Sequence, residues 1–233
     1  MQRPRHSQRL QGFTLVELTI VLVIVGLLTG GLLLGIAAQR NAAETSEARR
    51  QLENIREALL GYAMANGRLP CPAPATLPNS DAGAGVAATP PCDNAGQHGV
   101  LPWVTLGLPE TDPWGNRFTY TASSAFTAPK PAEALASFTL SSTANANVKD
   151  SATGSANIAS ELPAVVVSHG SRSAGAYQTS GAKLPGAIGD EAENADADLT
   201  FVSHTPSDAF DDLLIWISPS VLKAKMVAAG RLP

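Results

Sequence analysis

The longest apolar run in the chain, Leu18 to Ala38, contains no charged residue. Wound as a helix it is roughly 30 Å long, the hydrocarbon thickness of a bilayer, and it predicts a membrane-spanning segment over residues 13–38. Glu17 is the anomaly, because a carboxylate just inside an apolar boundary costs a few kcal/mol on insertion scales and needs a partner or the interface. Beyond Gln39 the pattern changes without losing its helical period. Ala48, Leu52, Ile55, Leu59 and Tyr62 recur at steps of four and three, drawing one apolar stripe along a polar helix over residues 39–66. Glu47 with Arg50 and Glu53 with Arg56 are spaced as same-face pairs, each worth a few tenths of a kcal/mol. Gly67 and Pro70 end the helix. A coiled-coil stalk would share the stripe, but about three heptads suit packing against a sheet better.

Residues 67–116 are rich in Pro and Gly and read as loop, with Cys71 and Cys92 bracketing its most flexible part. Asp112-Pro113-Trp114-Gly115-Asn116 is turn chemistry that delivers the chain into a strand at Phe118. Short apolar runs predict strands at Phe118–Thr121, Phe138–Ser141, Ala164–Ser168 and Leu199–Ser203, with a fifth at Leu213–Ile217. Residues 142–161 and 170–198 between them are poor in hydrophobics and read as surface loops. Ser218-Pro219 opens a short helix that runs to about Ala229 and closes at Gly230. The fold class expected is α+β: a long N-terminal helical spine, half membrane-spanning and half amphipathic, packed on a small antiparallel β-sheet domain over residues 67–233.

Charge and composition sharpen this picture in three places. The 233 residues carry a net charge of −4 and no basic patch, so no nucleic-acid partner is expected. Residues 1–12 hold Arg3, Arg5, His6 and Arg9 with no acid, and positive charge before an apolar span keeps that end in the cytoplasm, with the remainder across the membrane. In such a compartment Cys71 and Cys92 are expected to pair, the loop closure contributing roughly 3 kcal/mol; two buried thiols are the alternative. Neither cysteine has zinc-site spacing.

The order of these features is itself informative. A secretory signal places its small cleavage residue after the apolar core, whereas Gly12 precedes it. A basic leader, Gly12, Phe13 and then Glu17, over about residues 9–38, resembles the class III signal of type IV prepilins and type II secretion pseudopilins. Asp112-Pro113-Trp114-Gly115-Asn116 is also similar to a segment that enters the sheet in major pseudopilins. The resemblance implies that residues 1–12 are a cytoplasmic leader cut after Gly12 by a prepilin peptidase, which also methylates the new amine on Phe13. It implies that Glu17 neutralises the N-terminal amine of a neighbouring subunit, a pairing that relieves two desolvation costs together. The implied partners are other pilin or pseudopilin subunits, the peptidase/methyltransferase, inner-membrane lipid and the pilus assembly platform. The implied activity is assembly into a filament from the inner membrane, with the globular domain periplasmic. Gly26–Gly30 and Gly31–Gly35 provide spacings for close helix approach, while Leu34 stands where pilins often carry a Pro. The length favours a minor subunit, and pilus and secretion pseudopilus both remain open. The reading from a different class is a single-span periplasmic enzyme or sensor with an uncleaved anchor.

Candidate chemistry is sparse. Asp190, Glu191, Glu193, Asp196, Asp198, Asp208, Asp211 and Asp212 form an acidic block with no Lys or Arg between Lys183 and Lys223. Clustered carboxylates can hold calcium, and the resemblance, in which some pseudopilins carry such a site in a C-terminal loop, makes Glu193, Asp196 and Asp198 the expected ligands; a solvated acidic loop is the alternative. Ser168-His169 and Ser203-His204 are Ser/His neighbours, but no GxSxG elbow accompanies them, and there is no phosphate-binding GxxxxGK[ST] loop. No enzymatic activity is expected.

Overall fold

The structure, a computed structural model, describes residues 13–92 and 94–233, with the side chains of residues 29–38 and 94–95 outside that description. The expected leader, Gly12 included, lies outside the described residues. Contacts divide the chain into residues 1–43 and residues 44–233. Helix α1 (Leu15–Asn66) begins in the first and ends in the second.

In the first unit the side chains from Phe13 to Leu28 are exposed, Phe13 at 85 %. Thr14 and Glu17 open the helix as a capping box. The Glu17 amide donates to Thr14 Oγ1 at 3.3 Å, and the Thr14 amide reaches Glu17 Oε2 at 3.5 Å. Among the described residues no helix is long and apolar enough to cross a membrane. Residues 29–38 and the Gly30, Gly31 and Gly35 spacings fall where side chains are not described.

The second unit is built on the C-terminal part of α1. Ala48, Leu52, Ile55 and Leu59 are buried, as the stripe predicts, but it continues through Leu60 and Ala63, while Tyr62 is only half-buried. Glu47–Arg50 and Glu53–Arg56 form their ion pairs. Gly67 adopts φ +74°, and its amide bonds the Ala63 carbonyl, closing the helix. No basic residue occupies the last turn of α1. Arg231 supplies the charge instead, donating to the Met64 carbonyl at 2.7 Å and the Ala65 carbonyl at 2.6 Å.

The chain then forms a 3-10 turn (Asn94–Gln97), β1 (His98–Val100), α2 (Trp103–Leu106), β2 (Asn116–Arg117), β3 (Thr119–Ala122) and α3 (Ser124–Thr127). It continues through β4 (Ala146–Lys149), β5 (Asn157–Leu162), β6 (Ala164–Ser168), β7 (Tyr177–Gln178), α4 (Asp190–Ala195), β8 (Thr200–Val202), β9 (Leu213–Ile217) and α5 (Pro219–Ala228). The principal sheet has the order β1-β3-β6-β9, antiparallel throughout. Alternation along its strands feeds two cores. Tyr120, Ala164, Val166, Ile215 and Ile217 join the α1 stripe and the Leu222 and Met226 side chains of α5 on one face. Val165 and Val167 meet Val148, Leu162 and Phe201 on the other. That second face is covered by a sheet of order β5-β4-β8, in which β4 and β8 run parallel.

The structure corrects several expectations. The sheet domain is α+β and rich in antiparallel pairs, but among the described residues its strands divide into three sheets, the third being the short β2-β7 pair. Phe138–Ser141 is not a strand: Phe138 is a single anchor packed at a tilt against Phe126, centroids 4.6 Å apart, in a segment that turns immediately afterwards. The stretches read as loops at 142–161 and 170–198 contain β4, β5, β7 and α4. The Cys71–Cys92 segment is packed rather than loose. Ala73 and Ala84 bury against Val100 and Trp103, and Ala73 pairs with Val100. Cys71 and Cys92 form a disulfide with Cα atoms 5.8 Å apart.

Candidate functional site

Two buried charged centres stand out in the second unit. The first grows from the turn before β2. Asp112 is buried, its Oδ1 accepting the Trp114 and Asn116 amides at 3.0 Å each and its Oδ2 accepting the Ser168 hydroxyl at 2.7 Å. Burial pushes this carboxyl above its ordinary value, opposed by those three hydrogen bonds and by His169. Trp114 Nε1 donates to Glu44 at 3.1 Å, tying the turn to α1. Arg117, fully buried, follows in β2. Its Nε and Nη2 donate to Glu110 at 2.9 and 2.8 Å, Nη1 to the Ala75 and Leu77 carbonyls at 3.1 and 2.7 Å, and Nη2 to the Thr179 carbonyl at 3.1 Å. All five guanidinium donors are used, and the guanidinium lies 4.8 Å from the Trp103 ring centroid.

The second centre gathers where α4, the loop after β6 and the start of β9 meet. One carboxylate oxygen from each of Glu191, Asp211 and Asp212 lies within 4.8 Å of the others. Glu191 and Asp212 are buried and Asp211 half-buried. Part of the set is satisfied. Asp211 Oδ2 accepts the Ser171 hydroxyl at 2.8 Å and the Arg172 amide at 2.9 Å. Asp212 Oδ2 accepts Asn194 Nδ2 at 2.9 Å, while Asn194 also bonds Val202 through both its carbonyl and amino groups. Both oxygens of Glu191, Oδ1 of Asp211 and Oδ1 of Asp212 have no hydrogen-bond partner among the described residues. The nearby basic side chains do not close these valences. Arg172 Nη1 is 3.5 Å from Glu191 Oε1, and His169 Nδ1 is 3.6 Å from Asp212 Oδ1. Burial, reinforced by the charges of Asp212 and Asp211 and opposed by Arg172 and the Asp211 backbone amide, pushes the Glu191 carboxyl upward.

Two buried carboxylates and a half-buried one, with four orphaned oxygens between them, are an unfavourable arrangement unless protons or a cation complete it. The donor set is all oxygen, which suits a hard cation. Calcium–oxygen bonds of about 2.3–2.6 Å separate opposed ligands by roughly 5 Å, so the oxygen spacing here fits. Glu193, Asp196 and Asp198, the expected ligands, are not in this group. Asp196 and Asp198 are exposed and order the turn after α4, with the Asp198 amide bonding Asp196 Oδ1 at 3.3 Å and the Thr200 amide bonding Asp198 Oδ1 at 2.6 Å. Partial desolvation at this turn, with the charges of Asp198 and Glu193, raises the Asp196 carboxyl. The Glu191–Asn194 spacing of three puts both on one face of α4, a signal present in the sequence; the approach of Asp211 and Asp212 from the edge of β9 is not.

The Ser/His neighbours do not act together. Ser168 bonds Asp112, His169 bonds Thr119 at 2.8 Å, and His204 bonds Asp190 at 3.1 Å while stacking on Phe210. Of the N-terminal residues, Gly12 is outside the described residues, Phe13 is exposed, and Glu17 is engaged in capping its own helix.

The chain matches two family models. The prokaryotic N-terminal methylation motif covers residues 8–33, and type II secretion system protein G covers residues 35–161. No curated protein and no solved structure matches it.

Proposed function

The chain belongs to the type II secretion system protein G family, and from that premise we propose that it is a pseudopilin whose work is assembly. It is held in the inner membrane by residues 13–38, cut after Gly12 and methylated on Phe13 by the prepilin peptidase. The assembly platform then draws it into a filament whose core is the N-terminal helix. The observation that carries this reading is the run from Phe13 to Leu28, in which apolar side chains are exposed and Glu17 is the one charge. An apolar surface that continuous demands lipid or sister helices, and a carboxylate within it demands a cation, for which the amine of a neighbouring Phe13 is suited.

In the same reading Glu191, Asp211 and Asp212 hold a calcium-like divalent cation in the periplasmic domain, supported by their orphaned oxygens. Such an ion supplies the positive charge that the cluster lacks. The residues themselves join α4, the loop after β6 and the start of β9, so that loading stiffens this end of the domain.

Intact-mass and N-terminal analysis of the protein purified from membranes tests the assembly reading. A chain beginning at methylated Phe13 is expected. A chain retaining Met1 and its basic leader contradicts it and supports the uncleaved single-span anchor.

A further inference from the structure

Arg172 occupies an ambiguous position beside the carboxylate cluster. Its backbone amide fixes Asp211 Oδ2, which leaves Asp211 Oδ1 turned into the cluster. Its guanidinium donates to the Asp208 carbonyl at 2.6 Å and forms an ion pair with Glu191, Nη1 standing 3.5 Å from Oε1 without a hydrogen bond. The side chain is 35 % exposed, so its head has a path to water. One positive charge therefore faces three carboxylates without satisfying any of their free oxygens.

We propose that Arg172 is a resident counter-ion that a divalent cation must displace from Glu191, setting the concentration at which the site fills. The proposal rests on the cation reading above and adds a regulation to it. Like charges within several ångströms in a partly desolvated site repel strongly. A guanidinium near the cluster therefore weakens calcium binding, while partly neutralising the carboxylates when calcium is absent. The consequence is a site tuned toward the weak, roughly 10⁻⁴–10⁻³ M range of extracellular calcium modules. The domain would then lock only where calcium is plentiful, and stay unlocked but tolerably stable where it is scarce. The backbone half of Arg172 acts in the opposite sense, because it positions Asp211 whatever side chain is present.

The test is calcium chloride titration of the detergent-purified full chain by calorimetry, with melting temperature followed in parallel, for wild type, Arg172→Gln, Arg172→Lys and Glu191→Gln. The expected result is a calcium affinity at least tenfold higher for Arg172→Gln, near the wild-type value for Arg172→Lys, and lost for Glu191→Gln. In chelator, Arg172→Gln should melt below wild type; in saturating calcium it should match or exceed it. Should Arg172→Gln fail to fold, Arg172→Met keeps the aliphatic stem and gives the same readout. Wild-type binding with unchanged or weaker affinity in the charge-removed variant overturns the counter-ion role and leaves the cation site standing. No calcium binding by wild type or by any Arg172 variant overturns both.

Discussion

The two buried charged centres differ in how they are completed. Around Arg117 every guanidinium donor finds an acceptor, and Asp112 accepts three hydrogen bonds. Around Glu191 four carboxylate oxygens find none. Arg117 and Asp112 are as buried as Glu191 and Asp212, and the difference lies in the supply of partners from the chain itself. A complete centre holds the fold. An incomplete one marks where something outside the chain is required. The same contrast runs along α1. Residues 48–63 bury their stripe against the sheet, whereas residues 13–28 display theirs.

The largest effect expected is at the complete centre. Arg117→Met leaves Glu110 and three carbonyls without partners and should destabilise by about 3–5 kcal/mol in denaturant titration, equally in calcium and in chelator. A calcium-dependent loss would erase the distinction between the centres. Ala75 and Leu77, which accept from Arg117, lie inside the loop closed by Cys71 and Cys92. Replacing both cysteines by Ser should therefore cost about 3 kcal/mol, and combining the two changes should cost less than their sum, since both act on one segment. At the incomplete centre the sign reverses. Glu191→Gln removes a buried charge whose oxygens lack hydrogen bonds and which Arg172 neutralises only in part, and it should stabilise the chelated protein by about 1 kcal/mol while removing its melting response to calcium; destabilisation in chelator would show that the carboxylate is already satisfied.

The smallest effect concerns Asp112. Its carboxyl is raised in the folded state, so the folded protein binds the proton more tightly than the unfolded chain. The resulting contribution is fully present below the unfolded value near 3.8 and is lost as pH rises through the folded one. Wild type should therefore lose stability relative to Asp112→Asn as pH rises across that window. An opposite slope would mean that the three hydrogen bonds outweigh burial.

The parts of the fold legible in the sequence are those in which one short-range pattern decides the outcome. Ala164–Ser168, apolar up to its last residue, is buried on both faces, and the apolar run Leu213–Ile217 alternates buried with half-buried residues; both form strands with those bounds. Gly67 ends α1 because only the left-handed conformation suits the turn. The polar strands β4 and β5 were hidden, since β5 is mostly exposed and carries little hydrophobic signal. Phe138 misleads because a lone aromatic anchor resembles the start of a strand. At the candidate cation site the acidic block was visible as composition. Selecting Glu191, Asp211 and Asp212 from it required knowing that α4 and the β9 edge meet. Arg117 gave no signal, because a solitary Arg after a turn reads as solvent-exposed. Glu17 reads as an anomaly in the apolar run, and the Thr-x-x-Glu spacing with Thr14 carries the capping box that the structure forms.

That capping role shapes the decisive experiment, because Glu17→Ala would remove a helix cap as well as a charge. Gln serves a capping box as well as Glu does, so Glu17→Gln isolates the charge. The measurement is incorporation of processed Glu17→Gln subunit into sheared filaments, compared with wild type in the same strain. If the carboxylate is reserved for the amine of a neighbouring chain, the variant is cleaved at Gly12 normally and is absent from filaments. Incorporation at the wild-type level would contradict the account, leaving Glu17 as a helix cap alone.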